Sequence, residues 1–295
     1  MIGILFAQGS ALLQATQNIL NKKFVQQEEP FVVIWYSILL SLFFLIPVVI
    51  VSGIPVLGEN FYLFLGVRVL LDIFAISSYF YALKHGDISI VIPLSTFSVV
   101  FSLLSSSVIN KELPSAFGIV GILVVMSGTY LLNLPQKNRM KNLLMPFSLL
   151  FSDLSARLIL LSASLYGIIY SVNKAGINAS STSFFTLSAA LGLLVSFSFI
   201  LFYKHRLKVF NLLRISKLKQ FLPLGLIDGV KVFLLMLAVT YTFVAFADAS
   251  DNTTAVYSTL LAGLIFKEKI RERLFPISIM MLGVLIITIS SYFSV

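Results

Sequence analysis

The chain is a succession of apolar runs, most of them close to twenty residues long and separated by short polar segments. About twenty apolar residues is the length an α-helix needs to cross the hydrocarbon core of a bilayer. Within that core each backbone N–H and C=O must be satisfied internally, so each run is committed to helix. Ten spans are expected, at 3–21, 31–51, 61–83, 88–109 and 115–134, then 157–177, 182–203, 220–239, 243–266 and 274–293. Only 11% of residues are charged, against about 25% in a soluble domain, too few to coat a water-facing surface. The fold class is therefore all-α and polytopic. The first run lacks a basic leading region and a small-residue cleavage site, so a mature membrane helix is expected there rather than a signal peptide.

The net charge of +9 does not imply nucleic-acid binding, because most basic residues lie in short loops between apolar runs, where they fix topology. There is no cysteine, and His85 and His205 are the sole histidines. No HExxH, GxSxG or P-loop pattern occurs, so neither an enzyme nor a metal or other cofactor is expected. The partners expected are a small-molecule substrate and the lipid bilayer, with the chain a monomer or homodimer.

The spans fall into two groups of five, at 1–134 and 157–295, joined by a basic linker at 135–156. Within the linker, "LLMPFSLLF" reads as a short amphipathic surface segment or as plain connection. The groups look like copies. "ALLQATQNILNKKF" (11–24) aligns with "ASLYGIIYSVNKAG" (163–176), placing Asn21-Lys22 over Asn173-Lys174. "VVFSLLSSSVINKE" (99–112) aligns with "AVYSTLLAGLIFKE" (255–268), placing Lys111-Glu112 over Lys267-Glu268. An odd number of spans per copy forces the copies into opposite orientations. Inverted repeats of this kind are a carrier design, with the substrate site near the midplane.

The stretch 79–132 resembles the EamA repeat of the drug/metabolite transporter superfamily. The motifs that carry the likeness are Ala82, Leu83 and Gly86, then Pro93, the pair Lys111-Glu112, and Gly118, Gly121 and Gly128. The second copy keeps "FKEKIRERL" and Gly283, so the resemblance extends over nearly the whole chain. It implies two five-helix repeats and a transporter whose cargo lies among amino acids, nucleotide sugars, vitamins, choline-like cations and drugs. Where the first copy reads "GDISIVIPLST", the second reads "FVAFADASDNT", with no proline and with Asp248 and Asp251. A remodelled entry to the ninth span is expected there, as a specificity region.

The loops after the first, third, fifth, seventh and ninth spans, together with Arg157 at the start of the sixth, hold seventeen of the 21 Lys and Arg residues. The positive-inside rule then places both termini outside the cytoplasm. Members of the superfamily are commonly described with both termini inside; the charge asymmetry favours the opposite. The expected location is the plasma membrane of a prokaryote.

Charges inside spans cost roughly 2.5–3.5 kcal/mol each on insertion scales. The third span nevertheless carries Arg68 and Asp72. Asp228, 156 residues after Asp72, lies in the eighth span beside Lys231. The spacings i, i+4 and i, i+3 put each acid next to its base. The expected substrate site comprises Asp72, Asp228, Arg68 and Lys231, with Gln14 and Asn18 on one face of the first span. Tyr79, Tyr166, Tyr170, Trp35, Tyr36 and Asp251 complete it. Trp35 and Tyr36 have an interfacial-belt alternative, and each acid–base pair has a purely structural one. Asp72 and Asp228 are the proton-coupling candidates. Carboxylates together with cations suit a zwitterion such as an amino acid. The alternatives are an organic cation, a nucleotide-like metabolite, or a non-transporting scaffold or receptor. Gly118, Gly121 and Gly283 are expected at close helix contacts.

Overall fold

A computed structural model describes residues 1–25, 28–85, 92–134, 144–206, 217–266 and 271–293. In chain order the helices are α1 (Ile2–Val25), α2 (Pro30–Ser52), α3 (Phe61–His85), α4 (Ser98–Ile109) and α5 (Ala116–Asn133). Then come α6 (Met145–Ser152), α7 (Leu154–Asn178), α8 (Thr182–His205), α9 (Leu218–Tyr241), α10 (Val244–Asp251), α11 (Thr254–Phe266) and α12 (Leu274–Phe293). Local chemistry sets several boundaries. Pro30 starts α2, where its missing N–H costs nothing. The Ser115 hydroxyl accepts from Gly118 N at 3.2 Å to cap α5, and Asp153 accepts from Ser155 N at 2.7 Å to cap α7.

Among the described residues, seven helices are long and apolar enough to cross a membrane. They expose large side chains such as Phe43, Leu63, Val120, Phe199 and Leu285, an apolar surface suited to lipid. α1 has comparable length but carries Gln8, Gln14, Gln17, Asn18 and Asn21, which lower its hydropathy.

The fourth and ninth expected spans are not continuous α-helices. A 3-10 turn at Ile92–Phe97 leads into α4; the expected start at 88 lies outside the described residues. The ninth run, read as one helix over 243–266, divides into α10 and α11 around Asn252 and Thr253. Side chains there compete for the backbone. Asn252 Nδ2 donates to Asp248 O at 2.9 Å, Thr253 Oγ1 to Ser250 O at 2.6 Å, and Thr254 Oγ1 to Asp251 O at 2.8 Å. α4 starts at Ser98 and α11 at Thr254, 156 residues apart. That is the spacing that relates Asp72 to Asp228.

Helices of the two halves interleave. α3 lies along α7, and α1 along α9; α4 crosses α7, while α1 crosses α10 and α11. The most extensive contact joins α5 to α12. Small residues let helix backbones approach in a membrane. A Cβ added to Gly128 would lie 2.5 Å from Met280 Cγ, and one added to Gly283 would lie 2.6 Å from Val125 N. Gly118 and Gly121 meet Phe246, Ser290 and Ile287 in the same way, so the glycines expected at close contacts do occupy them.

In the linker, α6 is helical and its Phe147 ring packs 5.5 Å from Phe97 and 6.0 Å from Tyr130. Residues 135–143, Gly86 of the repeat motif, and the pair Lys267-Glu268 lie outside the described residues.

Candidate functional site

A cavity of about 690 Å³ lies among α1, α3, α4, α5, α7, α9, α10 and α11. Its wall draws on residues before 134 and after 157 alike, and includes Ser95 of the 3-10 turn. At one end it reaches Asn18, Asn133 and Arg273, where helices run into the basic loops. Towards the opposite helix ends its lining includes Asn173 and Met236. Of the residues expected at a substrate site, Gln14, Asn18, Arg68, Asp72, Tyr79, Tyr166, Tyr170, Lys231 and Asp251 line it.

Arg68 and Asp72 form an ion pair on α3, and Asp72 is 3% exposed. Arg68 also donates from Nε to Asn173 Oδ1 at 2.6 Å. Asn173 belongs to the Asn-Lys pair that repeats in sequence, and its contact joins α3 to α7. The guanidinium is thus held by one charged and one neutral partner from different halves of the chain.

The second acid–base pair is arranged differently. Lys231 Nζ is 2.8 Å from Asp228 Oδ1 and donates to Gln17 Oε1 at 2.8 Å. Gln17 Nε2 donates back to Asp228 Oδ1 at 2.9 Å. This closed triangle between α1 and α9 leaves Lys231 at the cavity wall, whereas Asp228 is absent from the lining. Gln17 was passed over in favour of Gln14 and Asn18, which bond to each other at 2.9 Å.

Trp35 and Tyr36 are also absent from the lining. Trp35 Nε1 donates to Ser198 Oγ of α8 at 2.8 Å. Tyr36 is 1% exposed and stacks on Phe221 of α9, with ring centroids 4.7 Å apart. The first turns of α2 pack against α8 and α9, so both rings serve helix contacts and do not face the cavity, correcting the expectation that they stack on a ligand.

Asp248 and Asp251, expected from the sequence as a specificity region at the ninth span, both line the cavity. Asp248 of α10 is 2% exposed; it accepts at Oδ1 from Ser98 Oγ at 3.2 Å and from Asn252 Nδ2 at 3.1 Å. Its Oδ2 has no hydrogen-bond partner among the described residues. Three residues on, Asp251 accepts from Ser10 Oγ at 2.9 Å and from Tyr170 OH at 3.0 Å. The i, i+3 spacing of these aspartates was the available signal. Gln8 steadies the break that presents them. It donates to Ser250 O at 3.3 Å and accepts from Thr253 and Tyr257 at 3.0 and 2.9 Å.

Beyond Asn173 and Met236 the helix ends are tied together. Glu112 is ion-paired with Lys174 at the end of α7. Its other oxygen accepts from Val244 N, the first residue of α10, at 2.9 Å. Lys174 Nζ donates to Thr242 O at 2.7 Å. On this face Gly58 N also donates to Ala179 O at 2.8 Å, joining two further connections. Lys111 adopts φ +57°, the left-handed turn that delivers Glu112 to this position. Among the described residues no group of three or more His, Cys, Asp or Glu side chains is placed to hold a metal.

Residues 1–134 match the model of the EamA-like transporter family. A protein of known crystal structure is 14% identical, with a TM-score of 0.74 over 98% of each chain; at that identity the likeness concerns the fold. No curated protein matches the chain significantly in sequence. With helices long and apolar enough to cross a bilayer, the chain is a multi-pass membrane protein whose residues 1–134 are similar to the EamA-like transporter family.

Proposed function

We propose that this protein is an alternating-access carrier for a small polar organic solute, with an amino acid or related compound as the starting class. The observation that carries the reading is a polar cavity lined by both halves of the chain, reaching one set of helix ends and latched at the other by Glu112 and Lys174. A carrier must expose its site to one face at a time, and a latched face opposite an accessible one suits that cycle. A scaffold or receptor would need self-satisfied acid–base pairs and no cavity. The pairs are indeed satisfied, but the cavity argues against that alternative.

In this reading residues 1–134 and 157–295 are two inverted five-helix repeats, joined by the 135–156 linker. Support comes from helix starts that recur along the chain: Ile2 with Leu154, Pro30 with Thr182, Ser98 with Thr254. The cross-packing of α3 on α7 and of α1 on α9 is the pattern a two-fold relation would give. The basic helix ends are assigned to the cytoplasm and both termini to the outside of a prokaryotic plasma membrane. The cavity then reaches the cytoplasmic face. Proton coupling at Asp72 or Asp228 requires a proton to replace Arg68 or Lys231 as counter-charge, which makes ion-pair exchange the coupling event.

The test is uptake of radiolabelled amino acids into proteoliposomes, with and without a pH gradient. Flux that follows purified protein and saturates with solute supports the carrier. No flux for any polar solute, with the protein folded and inserted, would overturn it.

A further inference from the structure

Arg68 and Lys231 of the cavity wall are already engaged, whereas two of its anions take part in no ion pair among the described residues. Arg68 is held by Asp72 and Asn173, and Lys231 by Asp228 and Gln17. Asp248 and Asp251 take part in no ion pair among the described residues. Their hydrogen bonds come from neutral hydroxyls and one amide. Buried carboxylates are ordinarily paired with a cation. An ionised carboxylate has about four lone-pair sites. Asp251 has one donor on each oxygen, and Asp248 Oδ2 has none. Ser102, the other hydroxyl near Asp248, donates to Val99 O at 3.0 Å.

We infer that Asp248 and Asp251 form a subsite for a primary ammonium group, so that the transported solute is an amine. This rests on the carrier reading above. An ammonium group has three donors and no acceptor, matching the open acceptor positions that the two carboxylates present. The two carboxylates stand on one face of the last turn of α10. The phenol of Tyr170 borders them, and aromatic faces favour cations. The carbon skeleton would lie against Ile169, Val232, Leu235 and Met236 on the same cavity wall. An alkali-metal ion is the competing occupant. Beside the two aspartates a carboxylate-bearing solute would first have to displace Asp72 from Arg68 or Asp228 from Lys231, so the cationic end of the solute is the one this part of the wall selects.

The test uses purified full-length protein and its thermal unfolding with n-butylammonium chloride, putrescine dihydrochloride, n-butanol, sodium butyrate and sodium chloride, with ionic strength matched among the salts. Both amines should raise the transition of the unaltered protein by several degrees at tens of millimolar, and the other three should not. Asp251→Asn and Asp248→Asn should each weaken the apparent amine affinity at least tenfold. The comparison of amine with alcohol needs no variant, so it stands even if a substituted chain folds poorly. An equal response to butanol, an aspartate-dependent response to sodium chloride, or no response to either amine overturns the subsite. Counterflow of radiolabelled putrescine in proteoliposomes separates this from the carrier reading. Binding without flux leaves the subsite and counts against the carrier; flux indifferent to both aspartates leaves the carrier and overturns the subsite.

Discussion

Glu112 and Lys174 meet beyond the Asn173 end of the cavity, one from the α4–α5 connection and the other from the end of α7. Because Glu112 also accepts from Val244 N at 2.9 Å, a single carboxylate ties three elements together. Lys174 adds a fourth point through Thr242 O.

Glu112→Gln removes the charge but can keep the amide acceptor, leaving Lys174 without its anion. Removing one partner of a buried pair costs about 3–5 kcal/mol; both side chains here are 14% exposed, so the lower part of that range is expected. The substitution should shift the protein toward exposure of the latched face. The chain has no cysteine of its own, so Met236→Cys can report through its reaction with an impermeant maleimide. Faster labelling from the latched face in Glu112→Gln is the expected result, and an unchanged rate removes Glu112 as a latch.

Asp72→Asn should lower transport more than tenfold, because it frees the Arg68 guanidinium within the cavity wall. Asp228→Asn should act mainly on stability, since Asp228 belongs to the Gln17–Lys231 triangle and not to the wall. Uptake and unfolding temperature, measured on both variants, separate the two roles. Wild-type flux in Asp72→Asn would remove that residue from the transport site.

Gly283→Val should reduce the unfolding temperature and the yield of monodisperse protein. Overpacking costs about 1–3 kcal/mol in a core that can adjust, and here the new carbon meets backbone as well as side chain. Gly66→Ala is the control, since nothing lies within 4 Å of its added carbon.

A protease-cleavable tag at the C-terminus should be cut from outside intact cells if the charge asymmetry governs insertion. Cleavage from the cytoplasmic side alone would reverse the assigned faces of cavity and latch together.

Apolar run length located the seven long apolar helices, since covering a bilayer and satisfying its backbone leaves helix as the sole solution for such segments. The glycines of α5 and α12 were legible for a similar reason: spacing places them on a helix face, and small size has few other uses there. A remodelled entry to the ninth span was legible from "FVAFADASDNT", but its division at Asn252 and Thr253 was not, because hydropathy counts carbon and cannot register side chains that capture carbonyl groups. Spacing along one helix also paired Arg68 with Asp72 and Lys231 with Asp228. It said nothing of the facing helix, and that is where the pairs diverge: Asn173 answers Arg68, while Gln17 encloses Lys231. Trp35 and Tyr36 illustrate the same gap, since a polar aromatic on a known face stays ambiguous until its neighbour is known.

The glycine seam between α5 and α12 also limits how the halves can travel. Each glycine faces a larger residue at a distance that leaves no room for one more carbon. Sliding one helix along the other would drive those residues over the neighbouring Ile, Val and Met side chains, as a key drags across the wrong pins of a lock. Rotation about the seam moves none of them past another. The low-cost relative motion is therefore a swing about a fixed spine, and displacement should grow with distance from α5 and α12.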